Sequence, residues 1–328
     1  MDQPARALHP DVRALMQAST AAPLGTLPPA EMRESYAAVR RALQPPPEPV
    51  AAVEEFSIPG PGGTLPLRLY RGAVAGTGPL PCLLFLHGGG WVLGSLDSHD
   101  GICRRIAWGT GACVLAVDYR LAPEHPFPAA LGDSAAALRW LAAEAGRLGI
   151  DPARLAVGGD SAGGNLAAVL ALMGRDGAVP RVGYQVLLYP VTDLRMGSEG
   201  HRQVTEGVPL TATAMRYFAD HYVPRETDRL DWRASPLLAP SLAGAPPALV
   251  LTVGHDPLAA EGRAYAERLE AEGVPVAALH LSDQAHGILN LGRAIGAAAG
   301  VIDFAAACLK DAWRERPVGP WHRNAQGV

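Results

Sequence analysis

The chain has 328 residues, of which 48% are hydrophobic and 18% are charged, so it can bury a sizeable core and is too apolar to be disordered. Its net charge of −4 argues against a nucleic-acid-binding protein, which would usually carry a basic patch. Among the 28 basic residues only Lys310 is a lysine, and it lies far from any glycine loop. Walker-type nucleotide-binding proteins and pyridoxal enzymes need a suitably placed lysine, so both classes are disfavoured.

The four cysteines form no CxxC pair, which favours reduced thiols in a cytoplasmic protein. The N-terminal segment lacks the apolar core of a secretory signal. No stretch approaches about 18 uninterrupted apolar residues, so we expect no membrane span. The chain contains no HExxH motif and no cluster of His and Cys at metal-binding spacing, so we expect neither a metal nor a cofactor.

Two short helices are predicted within residues 1–44, the second at Glu31–Leu43, and a proline-rich joint follows at 45–49. Beyond this joint, short apolar runs alternate with helical stretches, which indicates a doubly wound α/β sheet with mostly parallel strands. A Gly/Pro turn joins the first two strands, so we expect them to form an antiparallel hairpin. The segment 190–240 breaks the alternation and contains a helical piece at Thr211–Tyr222, which is typical of a lid or substrate-binding insertion. The predicted strands are 53–58, 65–70, 81–86, 112–118, 153–158, 183–189, 247–253 and 275–281.

The motif GDSAG at 159–163 follows a predicted strand and opens an alanine-rich helix, which is the setting of a nucleophile elbow. Small residues around Ser161 permit a strained turn that projects the hydroxyl above the sheet, where the helix N-terminus favours negative charge. A similar pattern at 132–136 follows a proline-rich loop instead of a strand. We therefore interpret Asp133 or Ser134 as the start of a helix.

Three glycines follow another predicted strand, in the run HGGGW at 87–91. Their backbone N–H groups can turn toward a ligand oxygen. In acyl-transfer enzymes such groups form an oxyanion hole together with the N–H that follows the nucleophile, here that of Ala162. A plain glycine-rich turn or a phosphate-binding loop is the alternative, but neither explains the pairing with the serine motif.

A serine nucleophile needs a base and an acid, which in this fold follow the serine in the order acid, then histidine. His286 lies in a short loop after a predicted strand and is the best base, whereas His280 falls inside an apolar strand and is interpreted as structural. Asp256 directly follows another strand and is the best acid, with Asp283 and Glu261 as alternatives. The glycine loop, serine, acid and base each follow the end of a different strand, and ligands bind at that edge of open α/β sheets.

These motifs resemble the bacterial hormone-sensitive-lipase-like esterases of the α/β-hydrolase superfamily, in the GDSAGG subgroup. The most specific blocks are HGGGW at 87–91, DYRLAPEHPFPAA at 118–130 and GGDSAGGN at 158–165, and the shorter blocks are YPVTD, RASPL, DPLAAEG and HGI. The resemblance implies an eight-stranded, mostly parallel sheet flanked by helices and covered by a helical cap. The implied domains are 1–48 as N-terminal cap helices, 191–235 as the cap insertion, and 49–190 with 236–328 as the α/β-hydrolase catalytic domain.

The resemblance also implies a serine carboxylesterase that hydrolyses short- to medium-chain esters through an acyl-enzyme. The implied site residues are Ser161 as nucleophile, His286 as base, Asp256 as orienting acid, Gly88, Gly89 and Ala162 as oxyanion-hole donors, and Trp91 as a candidate substrate contact. The DYRLAPE block would buttress the site from beneath. The expected partner is a small-molecule ester, and because dimers are common in the family, a homodimer remains open.

Three motifs depart from the family pattern. HGI replaces HGF beside the base, DPLAAEG lacks an arginine and an acid of the common DPLRDEG, and Trp232 stands where proline is frequent. None of these departures touches the predicted triad. Two alternatives stay open: a small-molecule receptor that uses the same fold without catalysis, and a hydrolase that acts on amides or lactones.

Overall fold

The computed structural model describes residues 7–73, 78–204 and 206–314. Within these residues eight strands form one sheet in the order β1-β2-β4-β3-β5-β6-β7-β8. The strands are β1 Ala52–Gly60, β2 Gly63–Arg71, β3 Leu80–Leu86, β4 Cys113–Val117, β5 Ile150–Asp160, β6 Tyr184–Leu188, β7 Ala248–His255 and β8 Val276–Ala285. Strands β1 and β2 pair antiparallel, as do β2 and β4, and every other pairing is parallel. The predicted eight-stranded sheet and its initial hairpin are therefore confirmed.

The central strands are buried on both faces because their residues are apolar almost without interruption. In β3, Cys82, Leu84 and Leu86 belong to one apolar cluster, whereas Leu83 and Phe85 belong to a second. Alternate side chains of a strand point to opposite faces, so the two clusters lie on the two sides of the sheet. Continuous apolar runs such as CLLFL are thus the expected composition of these strands.

Helices connect most of the strands, and two of them precede the sheet. The helices are α1 Pro10–Ala18, α2 Pro29–Leu43, α3 Asp100–Thr110, α4 Ala129–Glu144, α5 Ala162–Arg175, α6 Glu199–Gln203, α7 Ala212–Tyr222, α8 Ala259–Ala271 and α9 Ala297–Ala312. Short 3₁₀ turns lie at Asp97–His99, Glu226–Leu230 and Pro236–Leu238. None of the helices in the described ranges combines the length and apolar character needed to cross a membrane.

The second GDSA pattern does not start a helix, which corrects the prediction for Asp133 and Ser134. Helix α4 already begins at Ala129, so both residues lie inside it. The Asp133 carboxylate accepts hydrogen bonds from the backbone and guanidinium of Arg120, at 3.0 and 2.9 Å. The hydroxyl of Ser134 donates to the carbonyl of Ala130 at 2.8 Å. The Arg120 bonds hold the segment before α4 against this helix, whereas the Ser134 bond lies within the helix.

Candidate active site

Ser161, His286 and Asp256 lie together at the carboxyl edge of the sheet. Nε2 of His286 is 2.9 Å from Oγ of Ser161, and Nδ1 of the same ring is 2.7 Å from Oδ2 of Asp256. The three residues are buried, with at most 7% of each exposed. In this order the imidazole can take the hydroxyl proton while the carboxylate fixes the ring and stabilises its cationic form. The structure thus brings together three residues that the sequence predicts to meet, 125 positions apart at their widest.

The backbone at Ser161 is strained and held by close glycine packing. Its φ of 56° and ψ of −117° lie outside the regions that L residues usually adopt. A Cβ on Gly159 would lie 2.2 Å from the carbonyl oxygen of Leu86, and one on Gly163 would lie 1.9 Å from the same atom. Only glycine fits at these two positions, so α5 can begin directly over the end of β3. This packing raises the serine hydroxyl above the sheet.

Asp256 and His286 come directly after β7 and β8, which are neighbours in the sheet. The N–H of Leu258 donates to Oδ1 of Asp256 at 2.9 Å, so the carboxylate is fixed from one side and leaves Oδ2 for the ring. The ring of Tyr189 packs against that of His286, with centroids 4.5 Å apart. Both nitrogens and one face of the imidazole are therefore engaged before any substrate binds.

The competing candidates for acid and base lie elsewhere. Glu261 is buried in α8, with Oε2 3.1 Å from Nε2 of His201. Asp283 lies within β8, and it is Asp256 that bonds the ring of His286. His280 also lies in β8, where its Nδ1 is 2.8 Å from the hydroxyl of Thr252, so its structural interpretation is confirmed.

The N–H groups of the glycine loop after β3 have two different surroundings, one at Asp160 and one at the cavity. The N–H of Gly88 donates to Oδ1 of Asp160 at 2.8 Å, and this bond argues against the predicted oxyanion role of Gly88. Gly89 and Gly90 have φ values of 122° and 61°, and both line the cavity that contains Ser161. The N–H groups of Gly89, Gly90 and Ala162 make no hydrogen bond to another residue in the described part of the chain. They are the donors that remain free beside the serine.

Asp160 and His99 form a buried pair beneath this loop, which sequence reasoning missed. Nε2 of His99 is 3.2 Å from Asp160, and both residues are at most 3% exposed. Burial alone would raise the pKa of Asp160, but His99 and the N–H of Gly88 outweigh it, so the pKa lies below its ordinary value. Burial also lowers the pKa of His87, to about 3, so this neighbouring ring is neutral. Asp160 lies at the end of a buried strand, where a charged side chain needs a polar partner. This rule could have indicated from the sequence that Asp160 is paired.

The DYRLAPE block supports the same loop, in agreement with the buttressing that the resemblance implies. The hydroxyl of Tyr119 donates to the carbonyl of His87 at 2.6 Å, and the Tyr119 ring stacks on that of His87 at 4.2 Å. The N–H of Ala122 donates to the carbonyl of Trp91 at 2.8 Å. Both ends of the HGGGW run are thereby fixed.

Trp91 is not among the residues that line the cavity, which argues against its predicted contact with substrate. Its side chain is fully buried and stacks on the ring of Tyr222, with centroids 4.2 Å apart and planes 7° apart. Because Tyr222 belongs to the insertion after β6, Trp91 joins the catalytic loop to the insertion. It acts as a packing residue.

A cavity of about 300 Å³ opens over Ser161 and His286. Its walls come from the α1–α2 arm, the glycine loop and the insertion, including Leu24, Met215 and Phe218. Apolar side chains dominate these walls, which suits the alkyl groups of an uncharged substrate. Arg40 also lines the cavity, and the sequence analysis did not single it out.

Comparison with known proteins places this geometry in a family. A family model described as an alpha/beta hydrolase fold matches residues 83–290. The chain belongs to the α/β-hydrolase family. This confirms the resemblance to its hormone-sensitive-lipase-like members.

Relatives of this α/β hydrolase include named ester hydrolases. The carboxylic ester hydrolase LipN of Mycobacterium tuberculosis is 45% identical over 262 residues, covering 78% of this chain and 69% of LipN. An ethyl acetate hydrolase of Pseudomonas putida is 44% identical over 242 residues, covering 71% of this chain and 74% of that protein. An α/β hydrolase from the metagenome of Lake Arreo superimposes with a TM-score of 0.89 at 40% identity, covering 93% of this chain and 98% of the other.

Proposed function

We propose that this α/β hydrolase is a serine carboxylesterase that hydrolyses short- to medium-chain carboxylic esters through an acyl-enzyme. The observation that carries the proposal is the pair of hydrogen bonds, 2.7 and 2.9 Å long, that links Asp256, His286 and Ser161 at the base of a mostly apolar cavity. Relatives named for the hydrolysis of carboxylic esters support the same chemistry.

The reaction has two halves that use the same three side chains. Oγ of Ser161 bonds to the ester carbonyl carbon while Nε2 of His286 takes the hydroxyl proton. The tetrahedral species then breaks its C–O bond, and the leaving alcohol carries that proton away. A water molecule attacks the acyl-enzyme, His286 takes its proton, and the returning proton frees Ser161 with release of the acid. Asp256 stays ionised and holds the imidazole in the productive orientation.

The oxyanion of each tetrahedral species is stabilised by backbone N–H groups of Gly89, Gly90 and Ala162. This assignment keeps two of the three predicted donors and replaces Gly88, whose N–H is already bonded to Asp160. Donors that are oriented before the reaction need no rearrangement when charge develops, so each contributes about 10²–10³ in rate.

The cavity walls support the proposed division into catalytic domain and cap. We assign 1–48 and 191–235 to the cap, and 49–190 with 236–328 to the catalytic domain. The hydroxyl of Tyr217, in the insertion, donates to the carbonyl of Leu27 in the N-terminal arm at 3.0 Å, which links the two cap pieces. Side chains from both pieces narrow the cavity, and this favours short to medium acyl chains.

A cytoplasmic location and a homodimer stay predictions. The four unpaired cysteines, of which Cys82, Cys103 and Cys113 are buried, are consistent with a reducing compartment. Size-exclusion chromatography with light scattering tests the dimer.

Replacing Ser161 by alanine tests the proposal. We expect kcat on p-nitrophenyl butyrate to fall by at least about 10³-fold, since loss of the nucleophile removes the acyl-enzyme route. The matched control is Ser134→Ala, because Ser134 is a buried serine in the second GDSA pattern and lies inside α4. Full activity of Ser161→Ala, with a circular dichroism spectrum like that of the wild type, would end the proposal.

Two further measurements separate the alternatives. An organophosphate should label the wild type stoichiometrically at Ser161, whereas a receptor without an active triad would not react. A series of p-nitrophenyl esters from acetate to palmitate should show its highest kcat/KM between two and eight carbons, and matched amides and lactones should be slower. A preference for palmitate would overturn the chain-length assignment.

A further inference from the structure

The cavity wall contains one cationic side chain that the esterase mechanism does not use. Arg40 lies near the C-terminal end of α2, on the helix face that also brings Met32, Tyr36 and Val39 to the cavity. Its guanidinium carbon is 3.8 Å from the centroid of the Tyr36 ring. Its Nη2 is 3.6 Å from the point where a Cβ on Gly287 would lie, which places the charge beside the residue that follows the catalytic histidine.

The charge of Arg40 is not matched by the surrounding protein. No carboxylate in the described ranges lies within 4 Å of its guanidinium, and its Nε is buried without a hydrogen-bond partner there. The other arginine on the inner side of this helix is different. Arg33 donates to both carboxylate oxygens of Glu124, at 2.8 and 2.6 Å, and to two backbone carbonyls.

The other ionisable groups of the cavity wall do not neutralise Arg40. Asp160 is occupied by His99 and by the N–H of Gly88. His286 is occupied by Asp256 and Ser161. Tyr36 contacts the guanidinium through its ring, and this neutral side chain stabilises the cation weakly and supplies no carboxylate. A guanidinium that lines a mostly apolar cavity without a carboxylate partner is suited to a carboxylate of the substrate, which it can bind through charge-assisted hydrogen bonds.

We propose that the preferred substrates are esters that carry a second, ionised carboxyl group, as in monoesters of dicarboxylic acids, and that Arg40 binds this carboxylate. The inference rests on the proposed esterase function and specifies its substrate class. The scissile ester carbonyl lies at Ser161 while the free carboxylate pairs with the guanidinium. Hydrolysis then adds water across the ester C–O bond and yields an alcohol and a dicarboxylate, with no further reactant.

The test compares monoethyl glutarate with its neutral isostere, the ethyl ester of glutaramic acid, at pH 8 in a pH-stat. The two esters differ only by an amide in place of the carboxylate, which is ionised at this pH. A charge-assisted pair with arginine corresponds to roughly 10–100-fold in binding. We therefore expect the wild type to prefer the anionic ester by at least tenfold in kcat/KM, mainly through a lower KM.

Substitutions assign this preference to one residue. In Arg40→Met the ratio of the two kcat/KM values should fall at least tenfold, and Arg40→Lys should keep part of it because the charge remains without the planar fork. The matched control is Arg41→Met, which removes an exposed arginine from the next position of the same helix and should keep the wild-type ratio. An equal fall in Arg41→Met would show a general field effect and overturn the site.

The outcomes separate this inference from the proposed function. A wild type that hydrolyses p-nitrophenyl butyrate but treats the glutarate and glutaramate esters alike refutes the role of Arg40 and leaves the esterase intact. This result needs no variant, so it stands even if Arg40→Met does not fold. A wild type that hydrolyses none of these esters refutes the esterase proposal itself.

Discussion

Replacing Gly163 by alanine tests how tightly α5 packs over the end of β3. The added Cβ would lie 1.9 Å from the carbonyl oxygen of Leu86, 2.5 Å from its carbonyl carbon and 2.7 Å from the carbonyl oxygen of His87. All three are backbone atoms, so no side-chain rotation relieves the contact. Reaching an ordinary contact of 3.4 Å requires α5 and the strand end to separate by roughly 1.5 Å.

Both stability and catalysis should suffer from this separation. Overpacking against a close-packed core costs about 1–3 kcal/mol, which in a chain of this length lowers Tm by about 2–6 °C. The displaced backbone leads into the glycine loop, so kcat should fall by about 10²–10³, as for the loss of one oxyanion donor. Thermal unfolding followed by circular dichroism and kinetics on p-nitrophenyl butyrate measure the two effects.

The matched control is Gly300→Ala in α9, where an added Cβ has no neighbour within 4 Å. The same chemical change in an open helix position should stabilise the protein, by about 0.5–1 kcal/mol, because alanine loses less backbone entropy than glycine. Wild-type values of Tm and kcat in Gly163→Ala would refute the close packing of α5 over β3. An equal loss of stability in Gly300→Ala would refute it as well.

Three further substitutions test other parts of the site. Asp160→Asn should destabilise the protein at pH 7. Because the pKa of Asp160 in the folded protein lies below an unfolded value of about 3.9, its contribution to stability is present above about pH 3.9 and is lost as the pH falls through the folded pKa. A gap in Tm between variant and wild type that widens as the pH falls below about 3.9 would contradict this. Glu261→Ala should lower the free energy of unfolding by at least about 2 kcal/mol, because the backbone N–H groups of Thr192 and Asp193 lose their acceptor. Glu261→Gln keeps that acceptor, so equal Tm values for the two variants would refute this role of Glu261. Trp91→Ala should lower the free energy of unfolding by about 3–5 kcal/mol yet keep the wild-type order of acyl-chain preference. A changed order of preference would show that Trp91 contacts the substrate.

The strands and the triad could be predicted because both follow from local rules. Apolar runs of five or six residues between turn residues indicate buried parallel strands, and β3, β4 and β6 lie where such runs occur. The carboxyl ends of parallel strands share one edge, so polar residues that directly follow those ends converge whatever the intervening helices do. Asp256 and His286 follow from this rule together with the order of acid and histidine after the serine.

The direction of each N–H in the glycine loop could not be predicted in the same way. Positions 88, 89 and 90 are all glycine, so the residue type alone does not distinguish them. The atoms that surround each one in the fold decide where its N–H points. The carboxylate that binds Gly88 is 72 positions away, in Asp160. Trp91 is likewise buried by Tyr222, which comes from the insertion. Pattern and spacing carry no information on such long-range partners, so both assignments needed the packed structure.

The insertion, which lines the substrate cavity, also contacts the segment that follows Asp256 of the triad. Glu261, at the start of α8, accepts hydrogen bonds from the N–H groups of Thr192 and Asp193, where the insertion leaves β6. Its other oxygen is 3.1 Å from Nε2 of His201, and a Cβ on Gly200 would lie 2.3 Å from the carbonyl oxygen of Pro257. Because Pro257 directly follows the catalytic acid, the insertion rests on the turn that positions this acid. The insertion therefore shapes the substrate cavity and also helps to position Asp256. A substitution that moves the insertion should alter both.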